Sequence, residues 1–579
     1  MASLHLKESI SRSPSRFALL LIPIVFACIG LLPRVQAVLP APTGGYPGGN
    51  TAEGQDALFN LTTGTYNTAV GVFSLRSNAE ASFNTAIGAG TLLANTAEGN
   101  TATGAGALLS NTTGSANTAH GAFALFNNTI GFNNTAVGER ALFTNAIAGP
   151  TNPSGYIGSY NTATGAGALE NNTTASINTA NGASALYSNT SGEENTAVGA
   201  SALYSNTTGS ANTAVGRSAL YSNTTGQENT ASGLDALFSN TTGYQNTANG
   251  VQALFNNSTG NNNTANGYQA LYNNIGNANN NTANGALALF SNTGGNGNTA
   301  NGTQALYSTT SGSNNTANGQ YALFHTTTGH HNTANGFQAL FNNITGIQNT
   351  ANGEFALFNN TTGNNNTADG WGALTNNATG NNNTANGFNA GNGVSTASNV
   401  ICIGAGIAGA NVSNTTWIGG VYGVATQSGT TAPVVVSNTG QLGTAASSER
   451  FKKDIAAMEK ASEAIMSLRP VTFHYKTDSK DTPQFGLIAE EVAKVNSALV
   501  LLDKEGKPYT VRYDAVNAML LNEFLKEHKA FLQEQRKVEQ QGATIARLEK
   551  QIEALNEGLQ KVSAQLEPSK SAPQVVNNP

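Results

Sequence analysis

The triplet Asn-Thr-Ala returns every 17 residues through most of this chain, and that period restricts the fold more than any other feature. It starts at Asn50, Asn67, Asn84, Asn100, Asn117 and Asn134, then runs from Asn161 through Asn178, Asn195, Asn212, Asn229, Asn246 and Asn263. It continues at Asn281, Asn298, Asn315, Asn332, Asn349, Asn366 and Asn383. The register slips by one residue at Asn100 and at Asn281, and one insertion lies between Asn134 and Asn161, where Pro150 and Pro153 mark a loop. A unit this short cannot bury a core alone, so a fixed period of this size means a solenoid or a stacked array.

A typical unit, Asn212 to Glu228, reads NTAVGRSALYSNTTGQE. It predicts two short strand-like pieces separated by glycine and closed by an Asn-Thr-Thr-Gly turn. Leu203, Leu220, Leu237, Leu254, Leu271, Leu289 and Leu306 hold one position in successive units, each flanked by Ala and most followed by Phe or Tyr. Stacking would set leucine on leucine and ring on ring, with Ala and Gly filling a narrow interior. Asparagine tolerates left-handed turns, and its amide can bond the amides above and below to form ladders. At a coil spacing of about 4.8 Å, twenty units make a rod of roughly 95 Å. Helix is excluded by the density of Gly and Asn, which carry poor helical propensity.

Charge divides the polypeptide. Only 10% of residues are charged and 65 are glycine, which argues against an ordinary multidomain enzyme. Between Asn50 and Val400 the basic residues are Arg76, Arg140 and Arg217 alone, whereas the chain from Gln441 onward is dense in charge. A stalk without a basic tract, in a protein of net charge -6, gives no reason to expect nucleic acid as a partner.

The first residues carry Lys7, Arg12 and Arg16, then an apolar run from Phe17 to Leu32 and the small-residue site Val35-Gln36-Ala37. This reads as a secretory signal cleaved after Ala37, with retention as an anchor the alternative. Lipidation at Cys28 fits poorly beside the bulky Phe26. The expected location is secreted or cell surface, with no stable membrane span once the signal is gone. Cys402 is then the only remaining cysteine, so no disulfide forms within one mature chain, and stability must come from packing and assembly.

Several motifs fail on context. Gly404-Ala-Gly406-Ile-Ala-Gly409 is a literal GxGxxG, but no acidic residue lies between Asp369 and Glu449 to hold a ribose, and no helix-forming segment follows. It reads as a degenerate last coil. The many Asn-x-Ser/Thr triplets, such as Asn206-Thr-Thr and Asn223-Thr-Thr, fall where the period demands a turn. His325, His330 and His331 have no acidic or thiol companion at metal-ligand spacing, so no metal and no cofactor are expected. Apart from Glu193-Glu194, carboxylates in the stalk stand singly, which does not suggest a glycosidase pair.

Two resemblances are carried by these patterns. The repeats from about Asn50 to Gly419 are similar to the head repeats of trimeric autotransporter adhesins, which wind into parallel β-rolls, although the present unit is longer. Beyond Gln441, Ser447-Ser-Glu-Arg450-Phe-Lys452-Lys-Asp454-Ile455 resembles the S-x-x-R-x-K-x-D/N-I opening of the intramolecular chaperone auto-processing domain of phage endosialidases, tail spikes and tail fibres. Arg469-Pro-Val-Thr-Phe473, Phe485-Gly-Leu-Ile-Ala-Glu490-Glu-Val492 and a helix from Tyr513 to Glu527 follow in that family's order. The resemblance implies Ser447 as nucleophile, Lys452 as general base and cleavage between Ala446 and Ser447, with Arg450, Asp454 and Glu490 in support. The chemistry is consistent, because a serine hydroxyl needs a neighbour to take its proton and a lysine amine serves only when desolvated. The scissile bond is tethered beside the serine, so proximity replaces a substrate cleft.

Ile545, Leu548, Ile552, Leu555, Leu559, Val562 and Leu566 alternate at three and four residues, which predicts a short coiled coil. Ile at a with Leu at d leans toward two strands, whereas both resemblances imply three. The expected organisation is a signal at 1–37, a linker at 38–49, a mainly β repeat solenoid at 50–398 and degenerate coils and a neck at 399–446. A small mixed α/β chaperone-peptidase domain follows at 447–529, then a coiled coil at 530–566 and a tail at 567–579. The expected product is an exported homotrimeric fibre or adhesin-like surface protein, with a surface or a glycan as its possible target. Its C-terminal domain assists assembly and then cuts itself free. A fibre with a permanent, uncleaved cap and a spike-like polysaccharide-degrading protein are the alternatives.

Overall fold

The computed structural model describes residues 46–146, 156–427 and 429–566. The signal, the Pro150–Pro153 loop and the C-terminal tail lie outside the described residues. The chain separates into two compact units, Met1–Ala425 and Thr426–Pro579.

The first unit is a parallel β-solenoid. Each coil supplies one three-residue strand, from Thr51–Glu53 to Thr416–Ile418, and together they form a 22-stranded sheet. Each strand pairs in parallel with the next, as in Thr213↔Thr230, Ala214↔Ala231 and Val215↔Ser232. Side chains alternate across a strand, so Ala214 faces the interior and is fully buried while Thr213 and Val215 face outward.

The second strand-like piece expected in each unit is not a strand. Ser218 and Leu220 adopt φ of 56° and 53°, and the same left-handed pair recurs at Ser201 and Leu203 and at Asp235 and Leu237. The backbone therefore turns sharply around the leucine instead of running past it. A left-handed non-glycine residue costs about 1–3 kcal/mol, and complete burial of its side chain returns about 1.5–3 kcal/mol. Leu220 is fully buried, and its N–H donates to Ala236 O of the next coil at 2.9 Å.

The interior is only half apolar. Beside Ala214, Ala219 and Leu220 lie the side chains of Asn212 and Asn223, also fully buried. Asn212 Nδ2 donates to Gly226 O at 2.8 Å, and Asn223 Nδ2 donates to the same carbonyl at 3.0 Å. Asn195 Oδ1 accepts from both the backbone N and Nδ2 of Asn212, at 3.0 and 3.1 Å, while Asn206 Oδ1 accepts from Asn223 Nδ2 at 2.7 Å. Two amide ladders thus run inside the coil stack, as the abundance of asparagine suggests. The second is broken where Thr309 and Thr326 replace asparagine, and their buried hydroxyls find no partner. Outside the ladders, rings from Tyr187 to Phe358 stack on one another at 5.1–5.2 Å between neighbouring centroids.

Every change of period falls after the second asparagine of its coil: after Asn95, Asn145 and Asn274. The strands around these slips keep their register, with Thr85↔Thr101, Thr135↔Thr162 and Thr264↔Thr282 paired. Length variation is absorbed by the turn, outside the two asparagine ladders, where the bonds between coils are threonine contacts such as Thr224 Oγ1 to Thr241 O at 3.0 Å. Beyond the regular repeats, Ile401–Ile403 and Thr416–Ile418 extend the sheet, and Cys402 takes the interior alanine position. The GxGxxG run is the turn of that coil, as its spacing suggests, with Gly404, Gly406 and Gly409 at φ of 116°, 72° and 70°.

The second unit is mixed α/β. It contains antiparallel hairpins of Val434–Val436 with Leu442–Thr444, Val471–Phe473 with Gln484–Gly486, and Val500–Leu502 with Pro508–Val511. A 3-10 helix spans Glu459–Ser467, and an α-helix spans Ala489–Val495. One continuous helix runs from Tyr513 to Leu566, joining the expected Tyr513–Glu527 helix to the apolar heptads without a break. No glycine-capped or proline stop intervenes, and Gly542 and Gly558 sit inside it. No helix among the described residues is long and apolar enough to cross a membrane.

Two predictions follow from the solenoid. Gly199 has φ of 134°, and a Cβ there would lie 2.5 Å from Gly216 O of the next coil. Gly199→Ala is expected to destabilise by about 1–3 kcal/mol from the backbone alone, with hydrogen exchange accelerated in coils 195–228 and unchanged at 350–400. Burial pushes the Cys402 thiol up from its ordinary value and seals it from solvent. Peptide mapping should find Cys402 unlabelled by a maleimide in the folded protein and labelled once the last coils are unfolded with denaturant.

Candidate self-cleavage site

Ser447 follows the Val434–Thr444 hairpin and precedes a single 3-10 turn, Glu449–Phe451. Ser448 caps this turn with extended backbone, and Phe451 N and Lys452 N close it on Ser448 O and Glu449 O at 3.0 and 2.9 Å. The turn folds the chain back on itself, so that Lys452 Nζ donates to Ser447 Oγ at 3.2 Å. Five residues of separation would place these side chains far apart in a strand. The reversal makes them neighbours. Both are exposed in the single chain, as is Ala446.

The other expected residues are placed separately. The Arg450 guanidinium lies over the Phe451 ring, 4.6 Å from its centroid. Asp454 adopts a left-handed φ of 54° and ends the segment. Glu490 is exposed in the first turn of the Ala489–Val495 helix, where its charge is favourable to the helix dipole. Among the described residues, hydrogen bonds bring together Ser447 and Lys452 and leave Arg450, Asp454 and Glu490 outside that pair. His325, His330 and His331 are exposed on the solenoid, and no group of three or more metal-ligating side chains occurs among the described residues.

Residues 447–501 match the family model described as the chaperone of endosialidase. The match begins at Ser447 itself. It takes in the Arg469 strand and the Phe485–Val492 strand and helix. No curated protein and no solved structure matches the chain.

Around the chaperone segment the structure shows three polar features that the motif alone did not reveal. Arg469 Nη2 and Nε grip Glu491 at 2.6 and 3.1 Å, so the hairpin strand is tied to the following helix. The hydrogen bonds from Arg469 hold the Glu491 carboxyl below the usual range. The adjacent acidic residues Glu490 and Glu491 look alike in sequence, and only helix orientation shows that Glu491 faces Arg469. The second is a cluster on the 3-10 helix Glu459–Ser467. Ser462 is fully buried, and its hydroxyl meets the Glu523 carboxylate, Asn522 Nδ2 at 2.6 Å and Lys526 Nζ at 3.3 Å. Lys526 Nζ also reaches Glu523 Oε1 at 2.7 Å, with Glu463 at 3.8 Å. Tyr513 OH accepts from Leu487 N at 3.0 Å, which anchors the start of the long helix to the second hairpin.

The apolar core of this unit is small. Val492, Leu499, Val500 and Val511 are its buried centre, while Phe485 is 81% exposed and Phe524 62%. Leu520, Leu521, Leu525, Phe531 and the whole heptad series from Ile545 to Leu566 are exposed as well. The long helix thus leaves an extended apolar face open on the single chain.

Hydrogen bonds from Lys526 and then Ser462 hold the Glu523 carboxyl below its ordinary value. A depressed folded-state value gives stability that is present above the ordinary carboxylate range and is lost as pH falls through the depressed one. The C-terminal unit should therefore lose thermal stability on acidification. Glu523→Gln, measured by circular dichroism melts across acidic pH, should show a shallower dependence while Lys526 and Glu463 still face the site.

Proposed function

We propose that the protein is an exported homotrimeric fibre whose C-terminal chaperone segment guides assembly and is then released by cleavage between Ala446 and Ser447. The observation that carries this reading is the Lys452–Ser447 hydrogen bond at the first residue of the family match. The β-solenoid ahead of it supplies the fibre, and the apolar helix surface supplies a means of association. The heptads from Ile545 to Leu566 form a coiled coil in this reading, and three copies cover them.

Cleavage then proceeds in two steps. Lys452 accepts the hydroxyl proton as Ser447 Oγ bonds to the carbonyl carbon of Ala446. The Ala446–Ser447 C–N bond breaks, and the Ser447 amine leaves carrying a proton. Water hydrolyses the resulting ester, which frees the Ala446 carboxylate and restores the hydroxyl. Attack from the adjacent residue needs no substrate pocket and allows one turnover per chain. Because Ser447 and Lys452 are exposed in one chain, covering them on assembly provides the desolvation that a lysine base requires. Cleavage would thus follow assembly rather than precede it.

Denaturing gels and N-terminal sequencing test this directly. The unaltered chain should yield a fragment beginning at Ser447. Ser447→Ala should abolish it, and Lys452→Met should slow it roughly 10²-fold or more. Ser448→Ala and Lys453→Met, which share the same spacing, should still cleave. An intact chain in every case supports a permanent cap, and hydrolysis of a polysaccharide by the purified stalk would support the spike-like alternative.

A further inference from the structure

The long helix Tyr513–Leu566 buries one residue, and that residue is an acid, Glu523. Its carboxylate meets the fully buried Ser462 and the Lys526 ammonium, while Asn522 donates both to Ser462 Oγ and, at 3.3 Å, to Glu459 O. An apolar residue at 523 would pack more cheaply against a short helix, since a buried charge is expensive unless fully paired. Glu459 and Asp454 both adopt left-handed φ, of 43° and 54°, at the two ends of the link that joins this helix to the Ser447–Lys452 turn. Two non-glycine residues in that region hold only where the surroundings impose it.

We infer that the cluster of Ser462, Asn522, Glu523 and Lys526 is a positioning device that passes association of the long helices to the Ser447–Lys452 pair. This rests on the self-cleavage reading given above and names how that site is regulated. On the helix, Leu520, Leu521, Phe524 and Leu525 flank the cluster and are 56, 59, 62 and 55% exposed. When neighbouring helices cover them, Lys526 at the cluster's rim loses water, and its bonds to Glu523 and Ser462 and its ion pair with Glu463 strengthen. The stiffened cluster fixes Glu459 through Asn522. Glu459 fixes the link, and the link fixes the turn that carries Lys452. A lone chain keeps the same contacts in a wet, weaker form, so its serine and lysine meet without a fixed geometry.

The test uses the full chain at concentrations where sedimentation shows every variant to be trimeric. Lys526→Met and Glu523→Gln should then cleave roughly 2- to 30-fold more slowly than the unaltered chain. Lys526→Arg should restore most of the rate, because guanidinium can make the same two bonds. Ser462→Ala combined with Glu523→Gln should slow cleavage by less than the product of the two single effects, as expected of groups acting through one cluster. Trimeric Lys526→Met and Glu523→Gln chains that cleave at the unaltered rate would overturn the inference and leave the self-cleavage reading standing. Variants that cease to form trimers at any concentration would make the cluster a structural clamp and would also overturn it. A chain that does not cleave when unaltered removes both readings.

Discussion

The stalk depends on one carbonyl per coil. Gly226 O accepts from Asn212 and Asn223 of its own coil, and both amides are in turn held by the asparagines of the coil before. A narrow coil has no room for a large apolar core, so buried amides must carry part of the cohesion, and they do so where their donors and acceptors are matched. A Cβ at Gly226 would crowd Asn223 Oδ1 and the Gly243 carbonyl, yet Ala175 and Ala278 hold the same place in their coils and accept the same pair of amides, so the carbonyl and not the glycine is the fixed element. The leucine column and the ring stack then close over a frame that the ladders have set.

This frame has consequences for folding. Asn212 Oδ1 and Asn223 Oδ1 find their partners in the next coil, at Asn229 and Asn240, so an isolated unit leaves half of its ladder bonds unmade and gains little by forming alone. Thr416–Ile418, the last strand of the stack, is exposed at all three residues, Trp417 among them. The C-terminal unit is built differently, with a small buried core and a long helix whose apolar residues stay exposed on the single chain.

Much of this was legible in the amino-acid order. The 17-residue period, the fixed places of Leu and Ala and the surplus of asparagine pointed to stacked coils with amide ladders, because side chains that repeat at a fixed interval must repeat in space. The Ser447–Lys452 pair was legible through motif order. The shape of the coil was not. Ser-Ala-Leu-Tyr reads as a strand by composition, yet Ser218 and Leu220 are left-handed, since the neighbouring coils reward burial of the leucine more than they penalise its backbone. Glu523 gave no signal either, sitting among Leu520, Phe524 and Leu525 like any polar residue on an amphipathic helix.

The sequence by itself determined the period, the partition into a neutral stalk and a charged C-terminal unit, and which residue types face inward, because these follow from spacing and side-chain chemistry alone. Only the tertiary structure decided that both asparagines of a coil grip one glycine carbonyl, that the helix runs unbroken from Tyr513 to Leu566, and that Ser462 and Glu523 are buried together. Those outcomes turn on contacts between residues distant in the chain or in successive coils, and a hydrogen bond is settled by where its partner lies.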